Sequence, residues 1–410
     1  MNAPGRRSPL AQVAVTAAVL CAGLIAIAVL TSLVGDRVFE RVTTVLLISV
    51  VLTVALQLFM GNSGLSSFGH IGFMAIGAYS SLWFTLSPDE KNVTLPDMPP
   101  EWPMYGWQTP YLPAILLAGG VAALVGALLG VALVRLRGAS FTIATFAFLI
   151  IVHSVALQWE PMTRGSRTVF GIPELTTIWW ALGAALIAVI AALLFKESSL
   201  GLRLRAARDD EDAAASLGVH ITWVRWVAWV LSVFITGAAG ALWGHFITTF
   251  SPTAFYISQT FLIVAMLIIG GAGSVSGAVT GAVVVALSSE WLRRLEGWLN
   301  TQRADQTTLG QLIPIELRGF AEIVIAIAMI LVLILRPSGI MGGREIGSPR
   351  FGRAVGPHPN PAPTAVGAGL PPRPAHRETP PPVEGGSGGS EGQGGEGFSL
   401  SERSTPWPPR

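Results

Sequence analysis

The densest chemistry in this sequence is a run of charge. Residues 196–218, KESSLGLRLRAARDDEDAAASLG, carry four basic side chains (Lys196, Arg203, Arg205, Arg208) and five acidic ones (Glu197, Asp209, Asp210, Glu211, Asp212). Mixed charge at this density suits ion pairing and docking rather than catalysis. On a helix, Arg205 with Asp209 and Arg208 with Asp212 stand four apart and can pair, in the weaker orientation. Ser198 or Ser199 offers an N-cap hydroxyl, and Gly218 can terminate the helix. Helical geometry then gathers Ala206, Asp210, Ala213, Ala214 and Leu217 on one side. Two readings are open. The stretch is a solvated loop whose charges fix orientation in a membrane, or a docking helix whose small-residue side enters a partner's groove.

Other candidates for chemistry are sparse. His70 lies in a glycine-rich stretch, residues 61–79 (GNSGLSSFGHIGFMAIGAY), with no carboxylate or second histidine nearby in sequence. His153 stands in residues 139–157 with Ser140, Thr142, Thr145 and Ser154. Each stretch either packs within a helix bundle or faces a translocation path. The glycines of residues 270–281, GGAGSVSGAVTG, invite a phosphate-loop reading. No lysine follows them and no soluble strand precedes them. The chain's two lysines, Lys91 and Lys196, stand in no P-loop pattern. Without a carboxylate pair, metal cluster or nucleophile triad, the sequence presents no catalytic residues, no metal site and no cofactor of its own. A lone cysteine, Cys21, excludes an intramolecular disulfide. An ion-coupled carrier is expected to carry buried acids near mid-membrane, and none stands there. The arginines sit at span ends and in tails rather than on an aromatic-laced basic face, so no nucleic-acid partner is expected. What remains is a passive pore, or a permease driven by separate subunits.

The elements that must position these residues are apolar. Half of the 410 residues are hydrophobic and 12% are charged, which excludes an ordinary soluble domain. A span needs about 20 mostly apolar residues. Runs at 10–33, 42–60, up to about 86, 112–134, 139–157, 178–195, 223–247, 259–269, 282–291 and 316–335 predict an all-α bundle of about ten spans. Eight result if 259–291 forms a re-entrant hairpin. The run at 223–247 is broken only by Arg225 and His245. Arg318 and Glu322, four apart, can neutralise one another. Positive loops at 1–9, 135–138 and 196–208, opposite an acidic loop at 87–110, place both termini in the cytoplasm. The expected organisation is a cytoplasmic N-terminus at 1–9, a membrane domain at 10–341 with a coupling loop at 196–222, and a tail at 342–410. The tail is rich in Pro, Gly, Ser and Glu and too poor in aliphatics to fold.

Residues 40–343 resemble the permease subunit of branched-chain amino acid ABC importers. Four stretches carry the resemblance, in order: GNSGLSSFGHIGFMAIGAY; RLRGASFTIATFAF with TRGSRTVFGIPEL; LGLRLRAARDDEDAAASLG; and LIIGGAGSVSGAVTGA with LRPSGIMG. The third is similar to the EAA loop through which such permeases dock on their ATPases. Asp212-Ala213-Ala214 followed by Gly218 takes that pattern; Asp212 stands where the pattern has Glu, and Glu211 is one place earlier. The tail after Gly343 departs from the family. The resemblance implies a multi-pass subunit of a bacterial inner membrane. Its implied partners are a sister permease, two ATPase subunits that bind ATP and Mg, an extracytoplasmic binding protein and lipid. The ATPase-coupling residues would be Arg208, Asp209, Asp210, Glu211, Asp212, Ala213, Ala214 and Gly218. Gly69, His70, Thr142, Thr145, Gly270 and Gly271 are candidates for the translocation path. Urea or short amides are alternative substrates within the family, and an ion-coupled carrier is the alternative outside it.

Overall fold

The computed structural model describes residues 9–304, 317, 319–336 and 338–346. Residues 1–8, Arg318 and the tail from 347 onward lie outside the described residues. In chain order the helices are α1 (Pro9–Val34), α2 (Arg37–Ser63), α3 (His70–Thr85), α4 (Pro88–Thr94), α5 (Tyr111–Leu133), α6 (Gly138–Gln158), α7 (Glu160–Thr163), α8 (Ile178–Glu197), α9 (Ser199–Asp209), α10 (Glu211–Ser216), α11 (Ile221–Ile247), α12 (Ile257–Gly270), α13 (Val275–Ala304) and α14 (Phe320–Leu335). A 3-10 turn, Pro252–Phe255, precedes α12. The one extended pairing among the described residues is an antiparallel bridge between Val169 and Phe250.

Eight of these segments are long and apolar enough to cross a membrane, and α14 adds a shorter apolar helix. The central post is α2, whose apolar window is 89% buried, whereas α1 at 22% lies on the periphery. Asp36 starts α2 by accepting from the Val38 N–H, and Gly64 ends it in the left-handed conformation. The expected short segment at 282–291 is instead part of a 30-residue helix, α13. The expected span at 316–335 is described as a helix over Phe320–Leu335, residue 316 lies outside the described residues, and Glu322 pairs with Arg293 at 3.7 Å.

Glycines set the closest approaches. A Cβ on Gly77 of α3 would stand 2.0 Å from the Gly237 carbonyl oxygen of α11, and one on Gly240 would stand 2.1 Å from the Met74 oxygen. The two backbones therefore cross in direct contact, the small-residue packing that helices use where water cannot drive association. The α12–α13 hairpin is equally tight. A Cβ on Gly281 would lie 2.0 Å from the Met266 oxygen.

The helices run between two ends. The turn after α2, the link between α5 and α6, the charged stretch, the α12–α13 turn and residues 338–346 meet at one. The loops around Ser87, Val169 and Phe250 meet at the other, where Thr85 Oγ1 and His245 Nε2 are 3.1 Å apart and Trp83 donates to the Met162 carbonyl. Glu345 and Ile346, beyond the expected boundary at 341, bond to residues of the charged end.

Candidate functional site: the charged end of the bundle

The charged stretch is two helices, not one. Ser198 opens α9, its hydroxyl accepting from the Gly201 N–H at 3.2 Å. At Asp210 the backbone turns extended (φ −152, ψ 110). Its N–H donates to the Ala206 carbonyl, closing α9, while its carboxylate accepts from the Ala213 N–H at 2.9 Å, opening α10. One residue thus caps both helices. Gly218, at φ +81, lets the chain leave α10, and the Val219 N–H returns to the Ala214 carbonyl.

The expected ion pairs are not the ones formed. Arg205 meets Glu197 at 3.6 Å rather than Asp209. Arg208 meets the adjacent Asp209 at 3.2 Å, not Asp212, and donates to the Gly61 carbonyl at 2.8 Å, tying α9 to the end of α2. Because α10 starts a new axis at Asp210, Asp212 is no longer one turn above Arg208.

Glu211 faces the bundle. Its carboxylate lies 3.0 Å from Arg225 of α11 and 3.4 Å from Arg137 in the α5–α6 link. The Arg225 side chain is only 6% exposed, so its guanidinium needs this carboxylate: an unpaired buried charge costs several kcal/mol. Ala214 is also buried, at 3%. The expected small-residue docking side therefore divides. Ala214 packs inward, while Asp212, Ala213, Ala215 and Ser216 are exposed and Leu217 is 85% exposed.

A second anchor lies at the same end of the bundle. Lys196, at the end of α8, meets Glu345 at 2.5 Å and donates to the Gly273 carbonyl at 3.2 Å. The Glu345 carboxylate also accepts from the N–H groups of Val275 and Ser276 and from the Ser276 hydroxyl. It thereby caps α13, where negative charge is favourable. Burial alone would raise the Glu345 pKa. The Lys196 charge and the hydrogen bonds from Lys196 and Ser276 outweigh that and hold it below the usual carboxylate range. Nearby, the N–H groups of Ile340 and Met341 donate to the Ile269 and Gly270 carbonyls at the end of α12. Residues 338–346 thus satisfy both helix termini of one hairpin.

The candidate path residues fall into two clusters. His70 is buried, with Nδ1 2.9 Å from the Ser67 hydroxyl and Nε2 2.7 Å from that of Ser232. Ser232 donates onward to the Ala55 carbonyl, so His70 Nε2 is the protonated nitrogen and Ser67 donates to Nδ1. This chain of bonds links α2, α3 and α11. Thr142 donates to the Ser66 carbonyl, and Thr145 donates to the Thr142 carbonyl while accepting from the Phe68 N–H. Gly69 packs on Thr145: a Cβ there would lie 2.9 Å from the Thr145 oxygen. Gly270 and Gly271 sit apart, against Gly277 and Ser338. At the opposite end a cleft of about 450 Å³ opens between α2, α11, α12 and α13, lined by Arg41, Ser49, Gln259, Met266, Ser289 and Arg293 among others.

Among the described residues no group of three His, Cys, Asp or Glu side chains could hold a metal ion. Arg137, Arg225, Lys196 and Glu345 were absent from the site expected from sequence. One signal was present for Arg225: a lone arginine in an apolar run requires a carboxylate partner.

Over 352 residues the chain is 26% identical to the high-affinity branched-chain amino acid transport system permease protein LivM of Salmonella typhimurium, covering 78% of this chain and 73% of that one. It is 24% identical to LivM of Escherichia coli over the same shares. It is also 25% identical over 231 residues to the nucleoside ABC transporter permease protein NupC of Lactococcus lactis, covering 52% of this chain and 68% of the relative. No solved structure matches it. Residues 38–333 match the family described as branched-chain amino acid transport system / permease component, and the chain belongs to that family.

Proposed function

We propose that this chain is the permease subunit of an ATP-driven importer of branched-chain amino acids in a bacterial inner membrane. The observation that carries the mechanism is the two-sidedness of α10. Its inner side is bolted to α11 through Glu211 and Arg225, while Leu217 and its exposed neighbours are offered to a partner. In this reading two ATPase subunits bind ATP and Mg, close on one another and move α10. The sister permease completes the pathway, and an extracytoplasmic binding protein delivers the solute.

The eight span-length helices, α14 and the 16-residue α3 together cross the bilayer ten times, with the charged end in the cytoplasm and the Ser87–Pro110 loop outside. The membrane domain runs from residue 10 to Ile346. The cleft bearing Arg41 and Gln259 is the outward mouth. The cluster of Gly69, His70, Thr142 and Thr145 borders the path near the inner end, and Gly270 and Gly271 form the turn beside it.

The test is reconstitution of the chain with its sister permease, ATPases and binding protein in proteoliposomes. Leucine uptake should require ATP and survive an uncoupler, and the chain alone should hydrolyse no ATP. Uptake that collapses with the ion gradient while ATP is maintained would sink the reading. Because a relative is a nucleoside permease, the same assay should include a nucleoside and urea; preference for either reassigns the substrate and leaves the class intact.

A further inference from the structure

At the charged end, an open groove of about 690 Å³ separates the end of α5 from the start of α11. Its lining divides into an apolar half and a charged half. Val131 and Trp223 present half-exposed apolar surface, and Trp223 stacks on Trp226 with ring centroids 5.3 Å apart. The Trp226 N–H already donates to the Ala127 carbonyl. The charged half carries Arg135, Arg137, Glu211 and His220. Glu211 is the one carboxylate on the groove, and it already faces Arg225 at 3.0 Å and Arg137 at 3.4 Å. Arg135 makes no ion pair among the described residues. Two guanidinium groups thus line the groove against one carboxylate that is already committed to Arg225 of α11, and the groove is short of negative charge.

Depth identifies what can supply that charge. α5 has 23 residues and is about 35 Å long, enough to cross a hydrocarbon core of about 30 Å. Arg135 follows directly on its end, at headgroup level, where exposed tryptophan is also favoured. Arginine matches phosphate geometry, and basic pockets between helices at this level take anionic headgroups. We infer that this groove binds an anionic phospholipid, with the headgroup phosphate on Arg135 and Arg137 and the upper acyl chain on Val131 and Trp223. A phosphate on Arg137 competes with Glu211, so the lipid sets how firmly α10 is held. That consequence rests on the permease reading; the binding itself does not.

The experiment is native mass spectrometry of the assembled transporter, equilibrated with phosphatidylglycerol or phosphatidylcholine. Phosphatidylglycerol should be retained preferentially. Arg135→Gln should weaken retention about fivefold, since a basic side chain near a charged lipid surface contributes about 1 kcal/mol. Arg135→Lys should retain most of it, and Arg294→Gln at the opposite end should change nothing. Equal retention of both lipids, or Arg135→Gln retaining as wild type does, overturns the site. Retention seen only after the ATPases are stripped away also overturns it, by assigning the groove to them. Lipid selectivity without leucine uptake would condemn the transport reading alone, and uptake without selectivity the lipid site alone.

Discussion

The α3–α11 crossing and the α10 stretch fix their helices by opposite means. At the crossing, backbone packs on backbone at Gly77 and Gly240, with no room for a Cβ. At α10, position depends on one carboxylate, Glu211, reaching two arginines on separate elements. Close packing with no room for a side chain holds α3 directly against α11. A charged anchor can be loosened by a competing charge without breaking the bundle. Backbone packing and charged attachment thus meet on the same helix, α11.

The largest effect expected is at the crossing. Gly240→Leu forces side-chain atoms into the Met74 backbone, beyond the roughly 1–3 kcal/mol usual for overpacking. The purified variant should melt far below wild type or fail to reach the membrane. Normal melting would mean the crossing has slack after all.

Next comes the anchor. Glu211→Gln leaves Arg225 charged and nearly buried, a loss of about 3 kcal/mol. Melting should fall and ATP-dependent uptake should be lost, while Glu211→Gln combined with Arg225→Met recovers stability but not uptake. Recovery of uptake as well would remove the anchor from the coupling route.

A paired substitution separates the two sides of α10. Ala214→Arg pushes charge into a buried site and should release the stretch, read as faster proteolysis at 199–218. Leu217→Arg, on the exposed side, should leave proteolysis unchanged yet weaken ATPase co-purification about tenfold or more, since burying a leucine is worth about 1.5–3 kcal/mol. If both variants behave alike, α10 does not have two functional sides.

The smallest effect is at the other end. Lys91 is fully buried, its ammonium donating to the carbonyls of Met104, Tyr105 and Trp107. Burial lowers its pKa to about 8 from 10.5. The folded loop then binds fewer protons than the unfolded one between those values, so its stability rises as pH rises from about 8 to 10.5. Hydrogen exchange in residues 87–110 should slow over that window, after correction for intrinsic rates, and Lys91→Met should abolish the trend. Exchange that quickens instead would mean the three carbonyls keep the ammonium charged.

The apolar helices were legible in sequence because hydrocarbon demands long runs without charge. The charged stretch was legible for the converse reason, as were its cap at Ser198 and its end at Gly218. The break at Asp210 was hidden. Aspartate is tolerated inside a helix and favoured at an N-cap, so RDDED supports one helix or two until tertiary contacts choose. The inward turn of Ala214 follows from that break and was equally hidden. Glu211 with Arg137 and Lys196 with Glu345 join residues far apart in sequence, and no local periodicity encodes such pairs. The tight α12–α13 packing was readable from its glycines, but not its capping by residues 338–346.

That capping segment has a consequence for biosynthesis. The Thr16 hydroxyl donates to the Ile346 carbonyl at 2.7 Å, so a side chain of α1 is bonded to a residue synthesised after α14. The α12–α13 turn waits on the same late residues. Helices can enter the bilayer one after another, but the ring of contacts at this end closes only once residue 346 has emerged. Until then the facing ends of α12 and α13 lack the hydrogen-bond partners that Ile340, Met341 and Glu345 supply.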